Sequence, residues 1–246
     1  MCGRYAFLLP PEAMAALFKT LNDVLYPPRY NIAPTQPILA IVEREGRRAA
    51  ELFRWGFVPT WVKDPKEWPL LINARADSML EKPAFRDAVR NSRCIVPATG
   101  YYEWMKGTSP RQPYYITSAE TETMAFAGLY STWAGPNGEE VDTVCIVTVD
   151  PNPEISAVYD RMPAILRGDA IEAWLNTREV EARDAAALVG SAPEGTMRFH
   201  PVGRTIGKAD IDGPELIRPA TPDEMVQPAP PARPKKSATS GQLDLF

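Results

Sequence analysis

The sequence predicts an α+β fold built around a mostly antiparallel sheet. Short segments rich in β-branched and aromatic residues recur between Pro and Gly residues, and they outnumber the helical patterns. Strand-like and helix-like segments do not alternate regularly, as they would in a parallel α/β sheet. With 246 residues and 45% hydrophobic composition, the chain can bury the core of one large domain, or at most two small ones.

Eight strands and four helices are predicted from these patterns. The candidate strands cover residues 4–7, 37–42, 49–55, 94–97, 113–117, 124–133, 143–149 and 198–202. The candidate helices cover residues 11–21, 82–91, 168–176 and 180–189. The first helix has Pro11 near its start, and Ala13, Leu17 and Leu21 follow at the four-residue spacing of a helical pattern.

Composition argues against a membrane or secreted protein. No apolar stretch approaches the roughly 20 residues that span a bilayer, and residues 1–5 lack the basic region and apolar run of a secretory signal. We therefore expect a cytoplasmic protein. The formal net charge of −4 does not indicate nucleic-acid binding by the whole chain, although a narrow basic cleft on an acidic protein can still hold a strand.

The three cysteines suggest neither a disulfide framework nor a metal site, because the count is odd and no Cys-x-x-Cys pair occurs. Cys94 and Cys145 lie in apolar runs and are expected to be small core residues in strands. Cys2 differs in its position. Removal of Met1 exposes an α-amine and a thiol on one residue, with ordinary pKa values of about 7.7–8.0 and about 8.5.

Such an N-terminal aminothiol can condense with an aldehyde, because the amine forms an imine and the thiolate then closes a five-membered thiazolidine ring. From position alone, a frayed terminal cysteine without function is an equally good interpretation. The neighbouring residues favour function. Gly3 allows a close backbone approach, and Arg4 and Tyr5 begin a strand that would fix the terminus inside the fold.

Two internal segments carry further candidate site residues. In an extended segment, Asn73, Arg75 and Asp77 would share one face, although a solvated edge explains the same pattern. Glu103 stands alone among aromatic residues, where an apolar setting would raise its carboxyl pKa and suit it to proton transfer. A surface glutamate beside aromatic residues is the alternative for Glu103.

A third segment has Arg161 after Asp160 and before a rigid Met-Pro turn, where a structural Asp–Arg pair is the alternative to a functional residue. Tryptophans can stack on bases and arginines can meet phosphates, although a tryptophan is more often a core residue. The candidates for these contacts are Trp61, Trp68, Trp104, Arg4, Arg75, Arg86 and Arg161.

Eight segments in order resemble the SOS-response-associated peptidase (SRAP) domain, and the match runs from Cys2 to about Pro219. They are Met-Cys-Gly-Arg-Tyr at 1–5, Arg-Tyr-Asn-Ile-Ala-Pro-Thr-Gln at 29–36, Trp-Gly-Phe-Val-Pro at 55–59, Asn-Ala-Arg-Ala-Asp at 73–77, Lys-Pro-Ala-Phe-Arg at 82–86, Gly-Tyr-Tyr-Glu-Trp at 100–104, Tyr-Asp-Arg-Met-Pro at 159–163 and His-Pro-Val-Gly at 200–203. The resemblance implies a single domain over 1–219 with a barrel-like sheet and flanking helices.

The resemblance also implies a DNA-repair function. Proteins of this family recognise abasic sites in single-stranded DNA and form a covalent thiazolidine with the ring-opened deoxyribose, which shields the lesion. The family name reflects an older proposal of peptidase activity, including release of the first methionine, so a hydrolase or lyase classification and a role in the SOS response are expected. No cofactor is implied, and we expect a monomer.

Carried over residue by residue, the resemblance implies Cys2 as the nucleophile, Asn73 as the group that orients sugar and phosphate, and Glu103 as the proton shuttle. The DNA groove would be lined by Arg4, Asn31, Arg75, Arg86 and Arg161, with Trp61 or Trp104 near the exposed base.

One position departs from the family pattern. Tyr159 stands where the family has His, and the only histidine, His200, falls in the C-terminal block. Tyrosine, with an ordinary pKa of about 10, is a far poorer proton acceptor near neutrality than histidine, but it can still donate a hydrogen bond. We expect crosslink formation to survive through Glu103 and any histidine-assisted step, such as reversal, to be altered.

The C-terminal residues predict a tether with a binding peptide. Residues 220–241 are dense in Pro, Ala, Lys and Ser and are expected to be a disordered linker. The last five residues regain large apolar side chains and resemble the peptide by which bacterial repair proteins bind the β sliding clamp. The expected clamp-binding residues are Gln242, Leu243, Leu245 and Phe246.

Two other functions remain open from the sequence. One is a cysteine-dependent peptidase acting on peptides, which would need a base near the thiol, usually a histidine. The other is a non-catalytic adaptor, tethered to the clamp, that only binds single strands. The adaptor would not depend on Cys2. The crosslinking function that the resemblance implies would place the protein at replication forks, associated with the nucleoid.

Overall fold

The computed structural model describes residues 2–107 and 109–225. Most of this part of the chain forms β-strands in two sheets. The strands are β1 (Tyr5–Phe7), β2 (Arg29–Ile32), β3 (Pro37–Arg44), β4 (Arg47–Trp55), β5 (Asn73–Arg75), β6 (Arg93–Ala98), β7 (Gly100–Trp104), β8 (Pro113–Ser118), β9 (Met124–Ala134), β10 (Glu140–Val149), β11 (Met162–Pro163), β12 (Ile165–Leu166) and β13 (Met197–Pro201).

Short helices flank the sheets. They are α1 (Pro11–Phe18), α2 (Arg86–Asn91), α3 (Pro153–Ser156), α4 (Asp169–Leu175) and α5 (Ala182–Ala187), with 3-10 helices at Arg204–Gly207 and Pro214–Ile217. All eight predicted strands and all four predicted helices are present within a few residues of their expected bounds. Strands β2, β5, β7, β11 and β12 were not predicted.

The larger sheet closes on itself. Strands β10, β4, β3, β6 and β9 follow one another as hydrogen-bonded neighbours, and β9 pairs again with β10. In this sheet β10 runs parallel to β4 and to β5, while the other pairings are antiparallel. The second sheet has five antiparallel strands in the order β13-β8-β7-β1-β2. The predicted α+β fold with a mostly antiparallel, barrel-like sheet is confirmed.

The first helix is present, but the apolar residues that indicated it do not form its buried face. Helix α1 buries Met14 and Phe18, whereas Leu17 and Leu21 are 54% and 73% exposed. Met14 and Phe18 are also four residues apart. The segment therefore has two rows of apolar side chains, and only the row of Met14 and Phe18 faces the core. The row through Leu17 stays exposed, because the helix ends at Phe18 and Leu21 is no longer part of it. Lys19 ends the helix in a left-handed conformation with φ of 57°.

Arg93 joins three helices from inside the core. Its guanidinium is buried and donates hydrogen bonds to four backbone carbonyls. The acceptors are Trp174 O at 2.6 Å, Val89 O at 2.8 Å, and Asn176 O and Val180 O at 2.9 Å. These carbonyls lie near the ends of α2 and α4 and before α5, where helices leave carbonyls without partners. One side chain therefore ties these helices to β6.

The two internal cysteines behave as expected for core residues, since both thiols are fully buried. Within the described part of the chain, no helix has both the length and the apolar composition needed to cross a lipid bilayer.

Defined contacts continue beyond the expected domain boundary at residue 219. The amide of Ala220 donates to Pro201 O at 2.8 Å, and Arg218 pairs with Glu224 at 2.6 Å. The folded part therefore extends at least to Met225. The clamp-binding candidates Gln242, Leu243, Leu245 and Phe246 lie outside the described residues.

Candidate active site at the N-terminal cysteine

Strand pairing fixes the N-terminal segment inside the second sheet. Strand β1 lies between β7 and β2, and the pairing continues toward the terminus, because the amide of Tyr102 donates to Arg4 O at 2.9 Å. Cys2 is fully buried in the main core cluster. The expectation that the strand would hold the terminus inside the fold is confirmed.

The electrostatic setting of Cys2 favours the thiol over the thiolate. Burial raises the pKa of the Cys2 thiol far above its ordinary value, and the negative charge of Glu103 raises it further. The amide of Arg4 acts in the opposite direction through a hydrogen bond to the sulfur. The sulfur must therefore lose its proton during a reaction rather than before it.

Glu103 is the buried acid of this site. It lies on β7 and is 2% exposed. Burial raises the pKa of its carboxyl group from an ordinary 4.5 to about 7. A group with that pKa can both give and take a proton near neutrality. The predicted apolar environment of Glu103 is confirmed, and the surface alternative is wrong.

Tyr159 belongs to a small polar cluster beside Glu103. The side chain is partly buried, and the Nζ atom of Lys106 lies over its ring, 4.8 Å from the centroid. Lys106 also forms an ion pair with Asp160. Burial raises the pKa of Tyr159, and the charges of Glu103 and Asp160 add to this effect. Tyr159 is therefore a neutral hydrogen-bond donor at physiological pH.

Asn73 offers a buried acceptor at the edge of the barrel. Strand β5 runs beside β10, and the side chain donates weakly to Ile146 O at 3.4 Å. Its Oδ1 atom is buried and has no hydrogen-bond partner among the described residues. Ala74 points into the core, so Asn73 and Arg75 share the opposite face, as predicted.

Arg161 is held by carboxylates and a carbonyl rather than presented to solvent. It is 8% exposed, pairs with Asp150 and donates to Thr148 O at 2.6 Å. Asp77 lies 4.0 Å from the same guanidinium and also pairs with the exposed Arg75. This network connects the end of β5 to the segment that carries Tyr159. These are structural contacts, formed with Asp150 rather than with the adjacent Asp160. A contact of Arg161 with DNA stays a prediction.

Two residues expected in the DNA groove lie inside the fold. Asn31 is fully buried, and its amide donates to Lys208 O and Ile211 O while its oxygen accepts from Arg4 at 2.7 Å. Arg4 also donates to Ile206 O at 2.8 Å. Asn31 therefore anchors the segment that follows the 3-10 helix at Arg204–Gly207, and a contact of Asn31 with DNA stays a prediction. Arg4 is partly buried and shares this role.

The remaining candidates for DNA contact are more accessible. Trp61 is 52% exposed, and its ring meets Trp68 edge-on at 5.1 Å. Trp61 also lines a cavity of about 430 Å³ together with residues of α2. Arg86, at the start of α2, is exposed, whereas Trp104 is partly buried and packs against the second core cluster.

Sequence reasoning missed Tyr101 as a site residue. Tyr101 is fully buried on β7, two residues before Glu103. Because alternate residues of a strand share a face, the two side chains point the same way. Burial raises the pKa of the Tyr101 hydroxyl well above its ordinary value, and Cys2 and Glu103 lie close enough to add to this effect. Recognition of residues 100–104 as a strand would have identified it.

The family model for SOS response associated peptidase (SRAP) matches residues 1–209. The chain belongs to the SRAP family. It is 34% identical over 222 residues to abasic site processing protein YoqW of Bacillus subtilis, which covers 88% of this chain and 99% of that protein. It is 29% identical over 281 residues to abasic site processing protein HMCES of Xenopus tropicalis, which covers 96% and 83%.

The fold comparison agrees with the family. A crystal structure of a protein from Bacteroides thetaiotaomicron superimposes with a TM-score of 0.82 and 27% identity, covering 89% of this chain and all of the other. Among the residues described, no group of three or more His, Cys, Asp or Glu could hold a metal ion.

Proposed function

We propose that this SRAP protein is an abasic-site sensor that binds single-stranded DNA and captures the lesion as a covalent thiazolidine through Cys2. The observation that carries the proposal is the buried Glu103 carboxyl, with a pKa of about 7, acting on the thiol of the N-terminal cysteine. The names of its relatives support abasic-site processing.

The reaction begins when Met1 is removed and the α-amine of Cys2 becomes free. The amine adds to the C1′ aldehyde of the ring-opened deoxyribose, and the carbonyl oxygen leaves as water after taking two protons, one of them from the amine. The sulfur then bonds to the iminium carbon, and its proton passes to Glu103, which replaces the proton that the oxygen took from this acid. The net reaction joins protein and DNA and releases one water.

Glu103 is suited to move the protons in both steps. In its acid form it can protonate the departing oxygen, and in its carboxylate form it can take the proton from the Cys2 sulfur. Because the pKa of the buried thiol is raised, proton removal by a neighbouring base matters more here than for an exposed cysteine. Tyr159, as a neutral donor, could hold an oxygen of the sugar but would be a poor base.

The single-stranded DNA would bind along the exposed residues that are candidates for base and phosphate contacts. Trp61 offers an exposed ring on which a base can stack, and Arg75 and Arg86 are exposed cations that can meet phosphates. Asn73 would orient the sugar, because its unpartnered Oδ1 requires a donor such as a hydroxyl group. The exposed cations and the acceptor are the features that support this path.

A peptidase with a cysteine–histidine pair has less support. The ring of His200 hydrogen-bonds to Ile217 O at 2.8 Å and packs on Tyr115. It lies on β13, and strands β8 and β7 separate β13 from β1. A thiol–imidazole pair with Cys2 would therefore need a rearrangement of the sheet.

A second proposal concerns the tail. The apolar residues Leu243, Leu245 and Phe246 after a tether rich in Pro, Ala and Lys support binding to the β sliding clamp. The tether would raise the local concentration of the domain at a replication fork, in the cytoplasm near the nucleoid.

The crosslink is tested by incubating the purified protein with a single-stranded oligonucleotide that carries one abasic site. We expect a heat-stable adduct on a denaturing gel with the wild type and none with Cys2→Ala. Cys2→Ala and Cys2→Ser both keep the α-amine, and Cys2→Ser is the closer match in size and polarity. Both variants should give only an imine, which appears on the gel after borohydride reduction. An equally heat-stable adduct with Cys2→Ala would overturn the proposal.

A further inference from the structure

The hydroxyl of Tyr101 is buried without a hydrogen-bond partner. The residue is fully buried, and its Oη atom contacts no donor or acceptor within bonding distance in the described part of the chain. A buried hydroxyl without a partner costs roughly 1–3 kcal/mol, so its presence calls for a physical explanation. A phenylalanine would fill the same space without this cost.

The ring of Tyr101 is fixed by its neighbours. It packs edge-on against Phe126 at 5.9 Å, and Tyr101 pairs directly with Tyr5 across the β1–β7 ladder. Tyr5 itself packs on Trp55 and Phe126. The phenol is therefore held in place by aromatic packing, and its hydroxyl does not need a partner to fix its position.

The neighbourhood of the hydroxyl is the reactive site. Tyr101 and Glu103 share one face of β7, and Cys2 lies in the same core cluster as Tyr101. Burial raises the pKa of Tyr101 well above its ordinary value, so the hydroxyl keeps its proton and acts as a donor, not a base.

We propose that the Tyr101 hydroxyl is reserved for the substrate, where it donates a hydrogen bond to the C1′ oxygen of the abasic sugar. This inference rests on the proposed crosslinking function. The Tyr101 hydroxyl polarises the aldehyde while the Cys2 amine adds to it. The hydrogen bond to the oxygen persists until that oxygen leaves as water. Tyr101 keeps its own proton throughout, and Glu103 supplies the proton that the oxygen needs.

The test compares Tyr101→Phe with wild type for the rate of adduct formation on abasic single-stranded DNA. A preorganised donor to a developing oxyanion contributes about 10²–10³-fold to a rate, so we expect Tyr101→Phe to be slower by about 100-fold to 1,000-fold. Its thermal midpoint should be equal to or above that of wild type, because the variant removes an unpartnered buried hydroxyl.

Tyr115→Phe is the matched control. Tyr115 also has a buried hydroxyl without a partner in the described chain, but its ring belongs to the second core cluster with Tyr102. We expect wild-type crosslinking from this variant. Binding to DNA with a tetrahydrofuran site, which lacks the aldehyde, should be equal in all three proteins.

Wild-type crosslinking by Tyr101→Phe would overturn the inference while leaving the proposed function intact. Equal slowing of both variants, or a loss of tetrahydrofuran-site affinity as large as the loss of rate, would also overturn it. A wild-type protein that forms no adduct would overturn the proposed function and this inference together.

Discussion

Substitution of Glu103 by Gln separates the catalytic value of this buried acid from its cost to stability. The carboxyl is 2% exposed, and burial raises its pKa to about 7. Glutamine has nearly the same shape but cannot ionise. The variant should therefore crosslink abasic DNA more slowly and, at alkaline pH, should be more stable than wild type.

The magnitude follows from the pKa of the folded and unfolded states. The ordinary value is 4.5 and the folded value is about 7. At about 1.4 kcal/mol per pKa unit, this difference corresponds to roughly 3 kcal/mol. Because the folded pKa is the higher one, this stability is fully present below pH 4.5 and is lost as the pH rises through about 7.

The assay is urea unfolding followed by tryptophan fluorescence between pH 4.5 and pH 8. We expect the free energy of unfolding of Glu103→Gln, relative to wild type, to rise by up to roughly 3 kcal/mol over this range. Glu81→Gln changes an exposed glutamate and should leave this pH dependence unaltered. If wild type and Glu103→Gln keep a constant difference across the range, the carboxyl is not buried with a raised pKa and the reasoning fails.

Three further predictions follow from other parts of the chain. Arg93→Met should lower the free energy of unfolding by at least about 3 kcal/mol in urea, because four backbone carbonyls lose a charged donor, while exposed Arg90→Met should change it by less than about 0.5 kcal/mol. The Tyr159→His variant should form the adduct as wild type does but reverse it faster. A chase with excess unlabelled abasic DNA measures the reversal rate, and an unchanged rate would contradict a role of this position in reversal. Deletion of residues 242–246 should abolish β-clamp binding in a pull-down and leave crosslinking of naked abasic DNA intact, and retained clamp binding would refute the tail proposal.

The long strands could be predicted from the sequence because their own residues specify them. Strands β3, β9 and β10 have enough β-branched and aromatic residues to predict an extended segment without knowledge of their neighbours. Strands β2, β5 and β7 are three to five residues long. They are strands because neighbours pair with them, and this contribution comes from tertiary contacts rather than local propensity.

The site could be predicted in its chemistry but not in all its roles. Position and apolar context make Cys2 and Glu103 candidates with an alternative open for each, and the resemblance to the SRAP domain is what favours function; the structure buries both side chains. The resemblance also places Asn31 in a DNA groove, and nothing local in the sequence reveals that residues 204–211 fold over it. Arginine type alone likewise cannot distinguish the exposed Arg75 from Arg161, whose charge Asp150 neutralises.

The most direct test of the central claim is the intact mass of the product formed with a short abasic oligonucleotide. We expect a single adduct whose mass equals the protein without Met1 plus the oligonucleotide, less one water, and which borohydride does not change. Peptide mapping should place the bond on Cys2. An adduct that gains two hydrogens on reduction, or one that maps to a lysine, would contradict thiazolidine formation at the N-terminal cysteine.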